Sequence, residues 1–539
     1  MGKKSSIFNE NYAVLMERFP QLALEIPAAE SSTQAKEALK PFRIKTAEVL
    51  YFYGIGQGEA YIHAADWLRA NPSRRLVFLE DDLASLSAFL RFEKAGDILE
   101  DRQVFFAKVS DIDALAKRFP VSRIEIAALP SKGRFRKLKE ELLRKTAFAH
   151  AIYLERLHGY QPFQNFVRNL RRLPGSFYAN KLAGQFRGIP AIVCGAGPSL
   201  QQAIPLLRTM ENKALIIAGG STLAALSSHG INPHFGMAVD PNLEEYRRLK
   251  NSFAFEVPLL YSTRVFPEIF QTANGPFGYM RTGIGGLPEV WMEEELGLMD
   301  PLIGTDLTTD ALSVTSICLS WAQFLGCGPI LLSGLDLAFT AGKRYAPGVV
   351  EEGLDLEEEC GSVDQIVRRK DRNGKLIYTA IRWLMESAVF SHFAKMHPET
   401  TFVNTTEGGI GFKKIPYRPL KEASASFREL DVSLRAKVHE SIAAAPMPAH
   451  ARATIDQKMS ELRDSLDRIV LHLEICAGVR KGTVSLAEME VAEEMAYPYL
   501  FYDALALFRK EFDDPTQKWS RFLHLAKQYQ FVLREGFLG

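Results

Sequence analysis

"AIVCGAGPSL", residues 191–200, decides the fold. Ala191, Ile192, Val193 and Cys194 form an apolar run without polar alternation, as in a strand buried on both faces. Gly195, Ala196 and Gly197 then make a turn almost bare of side chains, and Pro198, Ser199 and Leu200 open a helix. Strand, glycine turn and helix are the repeating unit of a parallel α/β sheet. Such a turn lets backbone approach a ligand, and the helix start offers N–H groups to an anion.

The pattern repeats on both sides. Further strands are expected at "PAIVCGA", "ALIIAGG", "HFGMAVD", "VPLLYST", "PILLSGLDL" and "TTFVNTT", with helices between. Upstream, "AEVLYFYG", "RRLVFLEDD", "RQVFFAKV" and "RIEIAALP" predict a smaller sheet of the same kind. The expectation is two Rossmann-like α/β domains and an α-helical C-terminal domain. The boundaries are 1–130 for the first α/β domain with its leading helices, 131–188 for a helical connector, 189–424 for the second α/β domain and 425–539 for the helical one. In that last segment Met459, Leu462, Leu466, Ile469 and Val470 recur at helical spacing. It packs on the second α/β domain or mediates self-association.

Composition narrows the function. Of 539 residues, 47% are apolar and 24% charged, as in a globular protein with a large core. Lys plus Arg is 65 and Asp plus Glu is 64, which gives no support for a DNA-binding protein. The basic stretches at 134–145 and 168–172 read as solvated helix faces. Cys194, Cys318, Cys327, Cys360 and Cys476 show no zinc spacing and suggest a reducing compartment. No apolar run is long enough for a membrane span, and the start of the chain lacks a signal-peptide core. The expected location is the cytoplasm.

Ligands of open α/β sheets sit beyond the carboxyl ends of the strands. Here those ends carry Gly219, Gly220, Ser221 and Thr222; Asp240; Gly334 and Asp336; and Asn404, Thr405, Thr406 and Glu407. With the turn at Gly195 to Ser199, small, polar and acidic residues at five strand ends predict a nucleotide cleft. Asp240 and Asp336 would suit Mg²⁺ on a diphosphate, or a ribose. As general base the candidates are Asp336 and Asp240, then Glu407. His229, His234, His392 and His397 read as structural or surface residues.

Five segments in this order carry a family resemblance: "AIVCGAGPSL", "GINPHFGMAVDPNLEEY", "ALSVTSICLSWAQFLGCGPILLSGLDLAFTAGKRY", "NGKLIYT" and "FVNTTEGGIGF". Residues 190–415 resemble the motility-associated factor (Maf) glycosyltransferases, whose central domain is in turn similar to bacterial sialyltransferases. The resemblance implies a sialyltransferase-like catalytic domain. It implies transfer of a nonulosonic acid, pseudaminic or legionaminic, from a CMP-sugar to Ser/Thr hydroxyls of flagellin. It places Gly195, Ala196, Gly197, Pro198 and Ser199 at the phosphate and ribose, and Gly220 and Ser221 beside the base or ribose. Asp240 falls at a nucleotide-contacting strand end. Ser313, Val314 and Thr315 fall at a helix start, Asp336 toward the acceptor, Tyr345 on the phosphate and Asn404 at the last strand end. The chain departs from the family pattern at Ala311 and Leu312, where glycines are usual, at His234 and at Leu335.

Other readings stay open. Archaeal 6-hydroxymethylpterin diphosphokinases share the glycine turn and the Asp-Pro strand end, and transfer diphosphate from ATP with Mg²⁺. The upstream turn (Gly54, Gly56, Gly58), with acids at Glu80 to Asp82, resembles the opening of a class I methyltransferase. A nucleotide-sugar-binding scaffold without catalysis is the non-enzymatic alternative.

Overall fold

The computed structural model describes residues 2–538 apart from 27–43, 45–46, 122, 158–159, 308–312, 350–365, 479–484 and 502–514. Ala311, Leu312 and Cys360 therefore lie outside the described residues, as does much of the second half of the expected leading helical segment. The chain divides into two compact units, Met1–Leu154 with Ser362–Gln365, and Glu155–Gly361 with Ile366–Gly539.

The first unit holds four parallel strands, β1 (Val49–Tyr53), β2 (Arg75–Glu80), β3 (Val104–Lys108) and β4 (Ile124–Ala128), in spatial order β3-β2-β1-β4. These are the four strands expected from sequence. Leu50, Phe52, Leu76, Phe78 and Phe106 alternate onto one face and form its core with the surrounding helices.

The second unit is built on an eight-stranded sheet, parallel throughout. Its strands are β5 (Phe177–Tyr178), β6 (Ala191–Cys194), β7 (Leu215–Gly219), β8 (Phe235–Ala238), β9 (Leu259–Tyr261), β10 (Phe277–Tyr279), β11 (Ile330–Ser333) and, after the hairpin described below, β14 (Phe402–Asn404). The spatial order is β14-β11-β6-β7-β8-β9-β10-β5. Both faces are covered, which explains the unbroken apolar runs. Ile192, Cys194, Ile216 and Ala218 point into one core, and Ala191, Val193, Leu215 and Ile217 into the other. An antiparallel hairpin, β12 (Ile366–Lys370) and β13 (Leu376–Ala380), stands apart from the sheet.

The first of those cores reaches well beyond the sheet. It includes Phe163, Phe166, Leu170 and Leu173 from the expected connector, and Ile455, Leu462, Ile469, Phe522 and Tyr529 from the C-terminal helices Ala451–Gly478 and Pro515–Leu538. Segments 131–188, 189–424 and 425–539 are therefore not three separate bodies. The boundary falls inside the expected connector, after Leu154, because the aromatic side chains that follow bury in the second unit. Among the described residues no helix is long and apolar enough to cross a membrane.

Candidate active site

The strand order reverses at β6: β7 lies on one side and β11, made much later in the chain, on the other. The turn after β6 thus stands at the switch point of the sheet, where such folds bind ligands. A cavity of about 340 Å³ opens there. The turn is laced to the loop after β11. The Gly195 N–H donates to the Ser333 carbonyl and the Gly197 N–H to the Gly334 carbonyl, each at 2.8 Å. A Cβ on Gly197 would lie 2.3 Å from the Asp336 carboxylate, so the close approach itself requires glycine.

Asp336 is 1% exposed and fully engaged. It accepts the Ser199 N–H at 3.3 Å on both oxygens, the Ser199 hydroxyl at 2.5 Å and the Thr340 hydroxyl at 2.6 Å. Burial pushes its carboxyl upward, and the Ser199 and Thr340 bonds oppose the shift. It forms one wall of the cavity, as a clasp between the two loops.

Gly219 ends β7, and a Cβ there would meet Val314 Cγ1 at 2.0 Å. Glycine therefore lets the start of helix Val314–Phe324 close on the strand end. Gly220, Ser221, Val314 and Thr315 all line the cavity. The first N–H groups of helices Ser221–Ser227 and Val314–Phe324 have no partner within their own helices and can receive an anion.

Beyond β8, Asp240 accepts from the Arg248 guanidinium at 3.1 Å. Beside them lies Glu245, which the sequence reading passed over. It is fully buried, with Arg248 3.7 Å away, and neither carboxyl oxygen has a hydrogen-bond partner among the described residues. Burial, reinforced by the Asp240 charge and opposed by Arg248, pushes its carboxyl up to about 8. Glu245 thus keeps its proton at neutral pH.

The opposite wall comes from helix Ile381–Met396, which follows β13. Arg382, Trp383 and Glu386 face the cavity together with Arg344 and Tyr345. Trp383 has two guanidinium groups near its ring, Arg344 at 5.8 Å and Arg382 at 5.6 Å from the ring centre. Ser313 caps helix Val314–Phe324 by accepting the Ser316 N–H at 3.1 Å, and donates its own proton to Glu386 Oε1 at 2.5 Å. Burial raises the Glu386 carboxyl, opposed by Ser313 and Arg382. Sequence reading missed this wall because β13 and its helix lacked a glycine signal. The Asn373-Gly374 turn of the hairpin was the available clue.

The structure thus gathers Gly195, Ala196, Gly197, Gly220, Ser221, Asp240, Ser313, Val314, Thr315, Asp336 and Tyr345 around one cavity. It leaves four expected residues off the lining. Pro198 and Ser199 lie behind the turn, and Ser199 is bound to Asp336. Asn404 accepts the Thr406 N–H at 3.0 Å within its own loop, and Glu407 pairs with Arg372 at 2.8 Å. His234 is buried, accepts the Ile216 N–H at 3.0 Å and is pushed down to about 3 by burial. It ties the start of β8 to Ile216 of β7, whereas the sequence left it as either structural or surface.

A magnesium site between Asp240 and Asp336 does not fit this donor set. Asp336 already accepts protein donors on both oxygens, and Asp240 is paired with Arg248. No three His, Cys, Asp or Glu side chains gather as metal ligands among the described residues.

The turn of the first unit is filled from within. A Cβ on Gly54 would lie 2.9 Å from both Leu129 and Lys132. Glu80, where a ribose-binding acid would stand, accepts the Ile55 N–H at 3.2 Å and the Asp81 and Asp82 N–H groups at 3.1 Å, and pairs with Lys132. Asp82 caps helix Leu83–Phe89. These contacts tie the turn to its own strand ends and to Lys132.

A family model described as 6-hydroxymethylpterin diphosphokinase MptE-like matches residues 164–342, about a third of the chain. That stretch contains β5 to β11 and the glycine turn. No curated protein matches the chain. Among solved structures, that of a Maf glycosyltransferase from Magnetospirillum magneticum AMB-1 is similar with a TM-score of 0.45 and 15% identity, covering 99% of this chain and 94% of that one.

Proposed function

We propose that the protein is a glycosyltransferase that moves a nonulosonic acid from a CMP-sugar to Ser/Thr hydroxyls of a protein such as flagellin. The observation that carries the reading is the polarity of the cavity at the β6 turn. Two helix starts and the guanidinium groups of Arg248, Arg344 and Arg382 face it, while Asp336 and Asp240 are held by protein donors. Such a site stabilises the phosphate of departing CMP with N–H groups and cations. The sequence resemblance of residues 190–415 supplies the donor and acceptor classes. Trp383 offers an aromatic surface to a base or sugar ring. The work is assigned to the cytoplasm, with no DNA partner, and self-association through the C-terminal helices is part of the proposal.

A second reading is favoured by the family-model match over 164–342, namely diphosphate transfer from ATP with Mg²⁺. The engaged carboxylates argue against it. Isothermal titration separates the two. CMP binding without ATP supports the glycosyltransferase, and binding of ATP only with Mg²⁺ supports the diphosphokinase. Tight binding without turnover on any CMP-nonulosonate would leave the scaffold.

A further inference from the structure

We propose that Glu386 is the general base that takes the proton from the acceptor hydroxyl. The inference rests on the glycosyltransferase reading above. Four carboxyl groups line the cavity: Asp240, Glu245, Asp336 and Glu386. Asp336 has no oxygen without a protein donor. Asp240 is neutralised by Arg248. Glu245 is sealed beneath Gly220, with both oxygens shut off from solvent. Glu386 differs from all three. Its Oε1 is held by the Ser313 hydroxyl at 2.5 Å, and its Oε2 has no hydrogen-bond partner among the described residues. The side chain lies deep in the cleft yet keeps part of its surface open to it.

Ser313 fixes the direction. Its oxygen accepts the Ser316 N–H, and because an ionised carboxylate can only accept, its proton is donated to Oε1. That leaves Oε2 as the lone pair facing the cavity. Arg382 lies one helical turn before Glu386, and Arg344 and Trp383 share the wall. In the step, the acceptor oxygen bonds to the anomeric carbon as the bond from that carbon to the phosphate oxygen breaks. The electron pair leaves with CMP, and the hydroxyl proton passes to Glu386 Oε2. The raised carboxyl brings this base closer to the working pH, where proton transfer is most effective. Arg382 on its own helix is the charged group that acts on it, beside the neutral Ser313 hydroxyl, and Asp240, Arg248, Asp336 and Arg344 line the same cavity.

The test uses the full chain, purified flagellin, and CMP-pseudaminic and CMP-legionaminic acids. Glu386→Gln keeps the Ser313 hydrogen bond and removes the base. Transfer is expected to fall by about 10²- to 10⁴-fold while CMP affinity by titration stays within about threefold. The acid limb of the pH–rate profile should vanish in this variant, and Glu386→Asp should recover part of the rate. Transfer by Glu386→Gln within threefold of the parent overturns the proposal, as does an unchanged acid limb. If Glu386→Gln misfolds on melting, Glu386→Asp decides, since a base requires its acid limb to remain with a lowered rate. A parent chain that fails to bind CMP overturns the glycosyltransferase reading itself, and the base assignment falls with it.

Discussion

Asp336 holds the glycine turn with four hydrogen bonds from Ser199 and Thr340. Asp336→Asn would turn an NH₂ group toward donors or lose an acceptor, and should cost about 1–3 kcal/mol in urea unfolding. Ser199→Ala should cost less, because the Ser199 N–H bonds remain. Gly219 makes a sharper prediction. Gly219→Ala should weaken CMP binding at least about tenfold, because the new Cβ displaces the Val314 helix start. Val314→Ala in the same chain removes the clashing methyl and should restore binding in titration. Glu245 gives a pH signature. It holds its proton to about 8 in the fold, against 4.5 in the unfolded chain. Between those values the native state binds one proton more, so stability falls as pH rises through the window. Glu245→Gln should flatten that part of a stability profile measured by urea unfolding from pH 5 to 8.5. Glu293, pushed up to about 7 by burial, acts in the same direction and will leave some slope in the variant.

At the scale of the element, strands were legible where an apolar run ran into a turn signal. All four strands of the first unit and β6, β7, β8, β9, β11 and β14 stand where periodicity placed them. β5 spans only two residues, and β10, no shorter than β9 or β14, carries Gly278 at its centre in place of an apolar side chain, so neither read as a strand. The site was legible where a strand end carried a glycine or an acid. It was illegible on the Trp383–Glu386 wall, whose residues belong to a helix following an unrecognised hairpin. Chemistry misled at Asp336 for a related reason: a strand-end acid reads the same whether it faces a ligand or its own loop. The two glycine turns illustrate this. The turn after β6 borders a cavity, whereas Leu129 and Lys132 occupy the space over Gly54. S-adenosylmethionine should therefore leave the melting temperature unchanged, while CMP should raise it by mass action. A rise with S-adenosylmethionine would reopen the first turn as a binding site.

For the second unit as a whole, the C-terminal helices are part of the main core. Leu462, Ile469 and Phe522 share one apolar cluster with the sheet residues Ile192 and Ile216. A chain ending at residue 424 should lose cooperative unfolding in circular dichroism melts, because one face of the sheet would be stripped of its cover. The exposed Leu471 and Ile475 lie on helix Ala451–Gly478, which is where the proposed self-association is tested. Their replacement by Glu should lower the mass seen by light scattering if the chain associates through that helix.

The strand order has a consequence for biosynthesis. β5 is the first strand of its sheet to leave the ribosome, yet its partner β10 follows about 100 residues later. At roughly 5–20 residues per second of translation, β5 waits on the order of 5–20 s for a neighbour. The cavity is completed later still, since its lining runs from Gly195 to Glu386. A nascent chain thus carries the glycine turn long before the cavity it borders is closed, and β5 stays without a strand partner through that interval.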